Sequence, residues 1–170
     1  MIDLSKTFVT SDYHFMDWKK ALICENTADD DERHIALWNS VVGRDDLVLY
    51  VGDFCDGGIA DLENLSKRLN GRKIIIKGNH DWLDDEWYRY AFEDVVKELR
   101  LDELNIRLIH IKEAAKDLRA GERIIYGHEH RFRSETPPTT QNSICVCAKW
   151  HDWKPLTLAE AIRQMDAAQG

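Results

Sequence analysis

The sequence lacks most of the features that would draw it towards a membrane, a disulfide scaffold or a nucleic-acid polymer. Its four cysteines, at 24, 55, 145 and 147, include no Cys-x-x-Cys pair. A zinc ribbon therefore fails on spacing, and reduced thiols in a cytoplasm are the expectation. Long apolar runs are missing too. Stretches such as Leu47–Val51 are a few residues long, and Met1-Ile2-Asp3-Leu4-Ser5-Lys6 has no basic-then-apolar layout of a signal peptide, so no membrane contact is expected. Basic residues are in deficit: 23 Lys and Arg face 31 Asp and Glu, a net charge of −8, which argues against a nonspecific binder of long nucleic acid. No repeat and no polar low-complexity tract interrupts the chain.

What is present suits one globular domain over residues 1–170, with 44% hydrophobic and 32% charged residues. Apolar, β-branched runs of strand length occur at Thr7–Thr10, Leu47–Val51, Lys73–Ile76, Ile106–Ile109, Arg123–Tyr126 and Ile144–Val146. Between several of them lie helical patterns. Thr27-Ala28-Asp29-Asp30 resembles a capping box ahead of Ile35, Trp38 and Val42, and a second stripe, Leu62, Leu65 and Leu69, closes on Asn70-Gly71. Thr157-Leu158-Ala159-Glu160 opens a third helix. The order β-α-β-α-β indicates an α/β domain. In the second half, Asp94–Leu99, Ile106–Ile109 and Arg123–Tyr126 follow one another with little helix between, which predicts added antiparallel pairing and a mixed sheet or two packed sheets. Ser134–Asn142, rich in Pro and Thr, reads as a loose loop.

The chemistry sits where strands stop. Asp12-Tyr13-His14 follows the first run, and residues i and i+2 of an extended chain share a side, so a carboxylate and an imidazole converge. Gly52-Asp53, Gly78-Asn79-His80-Asp81, His110 and Gly127-His128-Glu129-His130 end four further strands. Each pattern alone is weak, and any of them can be a turn that caps backbone groups. In an α/β sheet, however, the carboxyl ends of strands form one shared crevice. The donors are oxygen and nitrogen without sulfur, which suits Mn, Fe, Zn, Co or Ni better than Ca. Their number exceeds the needs of one ion and fits a pair sharing a bridging carboxylate.

In this motif order the sequence closely resembles the calcineurin-like metallophosphoesterase family, from about Asp12 to His130, and beyond that a small bacterial or phage-type branch through Trp153-Lys154-Pro155-Leu156-Thr157-Leu158. The resemblance implies a four-layer α/β/β/α sandwich of two mixed β-sheets flanked by helices. It also implies a site with two divalent metal ions, manganese first, with iron, zinc, nickel or cobalt as alternatives. Asp12, His14, Asp53 and His130 would hold one metal, and Asp53, Asn79, His110 and His128 the other, with Asp53 as the bridge. His80 would protonate the leaving group, and Asp81 would orient His80 through its far ring nitrogen. The implied activity is hydrolysis of a phosphomonoester or phosphodiester, nucleotide-like or another small ester, by a metal-activated hydroxide. The chain departs from that branch at Cys147 and Lys149, where such proteins often carry Gly and Asp, so substrate preference does not transfer with the fold.

Two other readings stand beside this one: a noncatalytic scaffold that keeps the fold, and a nuclease. The sequence implies no obligate protein partner. Asn79, Arg131 and Arg133 are the candidate substrate-binding residues, the two arginines because guanidinium groups grip phosphate by charge-assisted bonds. A solvated hairpin face is the alternative for both. His110 reads either as a ligand or as a strand histidine. His34 and His151, outside the motifs, are read as surface or packing residues. Cys55 is read as a small buried loop residue, and Asp29-Asp30-Asp31-Glu32 as acids that complement a helix dipole. Trp38, Trp82 and Trp87 are read as core or groove walls.

Overall fold

The computed structural model describes residues 2–16, 28–130 and 138–168. In chain order the first half gives β1 (Thr7–Thr10), α1 (Ala28–Asn39), β2 (Leu47–Tyr50), α2 (Ile59–Arg68), β3 (Arg72–Ile76), α3 (Asp85–Tyr88) and β4 (Asp94–Val96). The second half gives β5 (Glu98–Leu101), β6 (Ile106–Ile109), β7 (Arg123–Tyr126), β8 (Thr139–Thr140), β9 (Ser143–Cys145), β10 (Leu156–Thr157) and α4 (Leu158–Ala167). The strands form two five-stranded mixed sheets, β10-β1-β2-β3-β4 and β5-β6-β7-β9-β8. In the first, β1 to β4 are parallel and β10 lies antiparallel at the edge. In the second, β6, β7 and β9 are parallel and both edge strands are antiparallel.

The alternation of side chains along a strand sorts the apolar residues into layers. Phe8, Val48, Tyr50 and Ile75 face outward into a cluster with Ile35 and Trp38 of α1 and Leu62 and Leu65 of α2. Their neighbours Val9, Leu49 and Ile76 face the other way and meet Ile106, Leu108, Ile125 and Ile144 of the second sheet. The helical stripes anticipated around Trp38 and Leu65 therefore cover the first sheet. α2 starts at Gly58, whose N–H donates to Asp61 Oδ2 at 2.9 Å, and α4 starts at Thr157, whose hydroxyl accepts from Glu160 N at 3.1 Å. Thr27, the first residue of the anticipated capping box on α1, lies outside the described residues.

Four expectations change on inspection. Asp94–Leu99 is two strands, because the chain leaves the first sheet after Val96 and enters the second at Glu98, with Lys97 at the crossing. β5 pairs antiparallel with β6 as expected, but β6 and β7 are parallel. Residues 110–122 make that crossover over the outer face without a full helix, since about a dozen residues suffice. Within Ser134–Asn142, Thr139–Thr140 forms a short strand against β9, while 134–137 lie outside the described residues. Trp82 is 64% exposed, so it is neither core nor groove wall; Trp87 does line a groove with Ile59, Leu62 and Ala91.

The outer face of the second sheet is covered differently from that of the first. Ile109, Ile124 and Tyr126 pack with Cys145, Cys147, Ala115 and Trp150, under 3-10 turns at Lys112–Ala114 and Ala148–His151. Beside them lies a buried ionic group: Arg107 Nε is 3.5 Å and Arg100 Nε 3.3 Å from the two Glu122 carboxylate oxygens. Arg107 also donates to the Lys116 carbonyl at 2.7 Å, which ties the crossover to the sheet. Among the described residues no helix is long and apolar enough to cross a membrane.

Candidate metal centre

The strand-end motifs of both sheets meet on one rim. Asp12 and His14 follow β1, Asp53 follows β2, Asn79 and His80 follow β3, His110 follows β6, and His128 and His130 follow β7. The loops are laced together by backbone bonds, Asp12 N to Gly52 O and His14 N to Asp53 O among them. Four of the candidate ligands have left-handed backbone: Asp12 at φ 59°, His14 at 48°, Asp53 at 58° and His128 at 69°. Such conformations cost non-glycine residues free energy, and they cluster where the surrounding structure must aim a side chain. The glycines of the motifs permit the close approach. A Cβ on Gly52 would fall 2.4 Å from His110 Nδ1, and one on Gly78 would fall 2.2 Å from Asp53 Oδ1.

Asp12 and Asp53 are both buried and are held in the same way. One oxygen of each is anchored by a backbone amide: Asp12 Oδ2 by His128 N at 2.9 Å, Asp53 Oδ1 by His80 N at 2.8 Å. The other oxygen, Asp12 Oδ1 or Asp53 Oδ2, is buried with no hydrogen-bond partner among the described residues. Imidazole nitrogens surround these two oxygens. Asp12 Oδ1 lies 3.4 Å from His130 Nε2, and Asp53 Oδ2 lies 3.5 Å from His14 Nε2 and 3.3 Å from His110 Nε2. Bare anionic oxygens facing imidazoles are the environment a cation would complete, since a buried unsatisfied carboxylate oxygen is otherwise costly.

Two ligand groups share Asp53. Asp12, His14, Asp53 and His130 form one, and Asp53, His110 and His128 the other, with candidate donor atoms within 4.8 Å of one another in each. Asn79 joins the second, its Oδ1 3.1 Å from His110 Nε2. The ring orientations agree with ligation through Nε2. His110 Nδ1 lies 2.8 Å from the Val51 carbonyl, which accepts its proton, and His14 Nδ1 lies 2.9 Å from Asp56 Oδ2. Without a cation the site leans on its own histidines. Burial opposes ionisation of Asp53, but the nearby His110 and His14 rings and the His80 amide outweigh it and hold that carboxyl below the usual range. Burial likewise opposes protonation of His110, and the neighbouring Asp53 and Asp12 carboxylates push it up to about 9. Cys147 Sγ lies 3.9 Å from His130 Nδ1, but burial pushes its thiol well up, so it stays protonated and is no thiolate ligand.

The expected role of Asp81 needs correction. Its Oδ2 accepts from Asp53 N and Gly78 N, both at 2.8 Å, and its Oδ1 from Phe54 N at 3.0 Å. That carboxylate builds the loops that carry Asp53 and Asn79. The group beside the His80 ring is Asp56, with Oδ1 3.4 Å from His80 Nδ1, and the same carboxylate holds His14. Sequence reasoning missed Asp56. The available signal was an acid three residues beyond Asp53 in the same strand-end loop.

The remaining candidates are quickly placed. Arg131 and Arg133 lie outside the described residues. His34 is buried and stacks on Trp153 with ring centroids 3.7 Å apart, and His151 Nε2 bonds the Cys145 carbonyl at 2.9 Å. Cys55 is buried, with its thiol pushed up to about 12 by desolvation. Asp31, in the acidic opening of α1, accepts from Met16 N at 3.0 Å. His34, His151, Cys55 and Asp31 thus have structural roles.

Comparison with known proteins agrees with the geometry. A family model for the calcineurin-like phosphoesterase superfamily domain matches residues 6–147. The sequence is 43% identical over 86 residues to Gene 66 protein of Mycobacterium phage L5, which is 46% of this chain and 41% of that protein. The match to Gene 66 protein of Mycobacterium phage D29, 40% identical over 82 residues, covers the same shares, so the chain spans about two-fifths of the length of these relatives. An uncharacterized protein of Methanocaldococcus jannaschii is 25% identical over 166 residues, covering 92% of this chain and 89% of that one. Among solved structures, a protein of unknown function from Aquifex aeolicus shares the fold with a TM-score of 0.69 at 21% identity, covering 88% of this chain and 94% of its own.

Proposed function

Since the chain belongs to the calcineurin-like phosphoesterase superfamily, we propose that it is a dinuclear-metal phosphoesterase acting on a small phosphomonoester or phosphodiester. The observation that carries this reading is the pair of buried, unpartnered oxygens, Asp12 Oδ1 and Asp53 Oδ2, each ringed by imidazole nitrogens. Asp12, His14, Asp53 and His130 would hold one cation, and Asp53, Asn79, His110 and His128 the other. Manganese is the first candidate, with Fe, Zn, Ni or Co as alternatives, because the donors are oxygen and nitrogen. When bound, such a pair supplies an activated water and neutralises phosphoryl charge.

The chain's own groups do the rest. Backbone amides of His80 and His128 aim the two carboxylates, and the Val51 carbonyl sets the tautomer of His110. The His80 ring, 42% exposed at the rim, is free to give a proton to the departing oxygen, with Asp56 Oδ1 3.4 Å behind its Nδ1. Arg131 and Arg133, one and three residues beyond His130 in sequence, would add positive charge for the phosphoryl group. Cys55, Cys145 and Cys147 are free and buried, which suits a reducing compartment and the cytoplasm as the proposed location.

The test is to strip the protein with chelator, reload it in turn with Mn, Ni, Co, Zn and Mg, and assay a panel of phosphate esters while counting metal per chain. Near two ions per chain with turnover of at least one ester is expected. Two ions with no turnover of any ester would assign the scaffold role instead, and salt-dependent cleavage of long DNA would assign a nuclease.

A further inference from the structure

An open cleft of about 590 Å³ leads away from the second ligand group. It is lined by Asn79 and His110 of that group, by the apolar Ile109, Ile111 and Ala114, and by the charged Lys77, Lys97 and Glu98. That volume is ordinary for a small-molecule site. The charges along it are not equivalent. Lys77 is committed elsewhere: its Nζ donates to the Leu83 carbonyl at 2.7 Å and to Asp85 Oδ1 at 2.9 Å. Glu98 is drawn towards Arg107, 3.6 Å away. Lys97 is exposed, and among the described residues no hydrogen bond or salt bridge engages its ammonium group. It stands at the crossing between the sheets, where the backbone is pinned on either side by β4 and β5.

Resting on the phosphoesterase reading above, we infer that Lys97 is a specificity residue, selecting phosphate esters whose leaving group carries a second anion. A scissile phosphoryl group at the Asn79–His110 end would leave the departing part of the molecule along the apolar wall towards Lys97. A phosphate or carboxylate there meets a cation that needs no ion pair broken to receive it. An uncharged leaving group gains nothing from it, so the residue sets preference among esters. In a chain with net charge −8, an uncommitted cation in this place matters more than it would on a basic surface.

The experiment compares three esters with the same scissile bond on the Mn-loaded protein: glycerol 1-phosphate, 3-phosphoglycerate and glycerol 1,3-bisphosphate. The last two add a carboxylate and a phosphate and so tell the sources of the anion apart. The expected preference in kcat/KM for at least one of them over glycerol 1-phosphate is roughly threefold to tenfold, the range of an exposed charge-assisted contact. Lys97→Glu should abolish or invert that ratio, chiefly through KM, and Lys97→Arg should keep it. Lys67→Glu, the same charge change on α2, should leave the ratio where it was. Calorimetric binding of the three esters to the metal-loaded protein gives a second readout that needs no turnover. An unchanged ratio in Lys97→Glu, in either readout, overturns the inference while the phosphoesterase reading stands. Failure to hydrolyse even p-nitrophenyl phosphate with two metals bound overturns that reading, and the inference with it.

Discussion

Charge is buried in two parts of this molecule, and the two clusters are built on opposite principles. On the outer face of the second sheet, the Glu122 carboxylate has Arg107 and Arg100 within 3.5 Å, and Arg107 has the Lys116 carbonyl besides. At the strand-end rim, Asp12 and Asp53 each keep one buried oxygen with no hydrogen-bond partner, and their neighbours are imidazoles. The first cluster contains its own counter-charge and holds the crossover of residues 110–122. Among the described residues no Lys or Arg pairs with the second, and four of its candidate ligands sit in left-handed backbone. A buried anion that carries its own counter-charge reads as structure, and one left facing imidazoles reads as a site for a ligand.

The comparison is broken most severely at Asp53, which belongs to both ligand groups. Asp53→Asn should bind fewer than one metal per chain and lose at least about 10³-fold in activity, because a neutral amide bridges two cations poorly. Metal analysis and a melting curve with and without Mn check this, and loss of one ion alone would remove Asp53 as the bridge. Next comes His80. His80→Ala should keep its metals and lose about 10²–10⁴-fold in kcat on alkyl esters, but much less on nitrophenyl esters, whose leaving group departs without a proton. Asp56→Asn should show a milder form of the same split. Equal losses on both ester classes would show that His80 positions substrate and does not act as an acid.

Breaking the self-sufficient cluster should change stability and leave the metals alone. Glu122→Ala leaves Arg107, 2% exposed, without its buried carboxylate partner and with only the half-exposed Glu98 3.6 Å away, and should cost about 3 kcal/mol in urea unfolding. The variant's melting temperature should still rise on adding Mn; a lost response would mean that the two clusters are coupled.

The smallest effect concerns a buried group that has neither kind of partner. His34 Nδ1 is unbonded among the described residues, and burial lowers its pKa from 6.5 to about 4, so the folded protein keeps the ring neutral. The unfolded chain accepts the proton near 6.5 and the folded one resists it until about 4. Stability from this group is therefore complete above pH 6.5 and is lost as pH falls towards 4. His34→Phe, which keeps a ring against Trp153, should flatten that part of the unfolding profile, and an unchanged profile would assign the acid sensitivity to other groups.

The sequence by itself determined the central strands, because a run such as Leu47–Tyr50 is buried on both faces and so reads as a continuous apolar stretch. It determined the ligand types as well, since Asp, Asn and His placed directly after such runs reach a common rim whatever the loops between them do. Pairing direction and the partners of individual polar atoms were decided only by the tertiary structure. Whether β6 and β7 run parallel depends on how residues 110–122 cross the outer face, which no local pattern encodes. Asp56 and Asp81 are both acids in the loop beyond a strand end, and adjacency to His80 in sequence favours Asp81. One faces two histidines and the other is taken up by the amides of Asp53, Phe54 and Gly78, because a carboxylate bonds to whatever the fold brings within 3 Å of it.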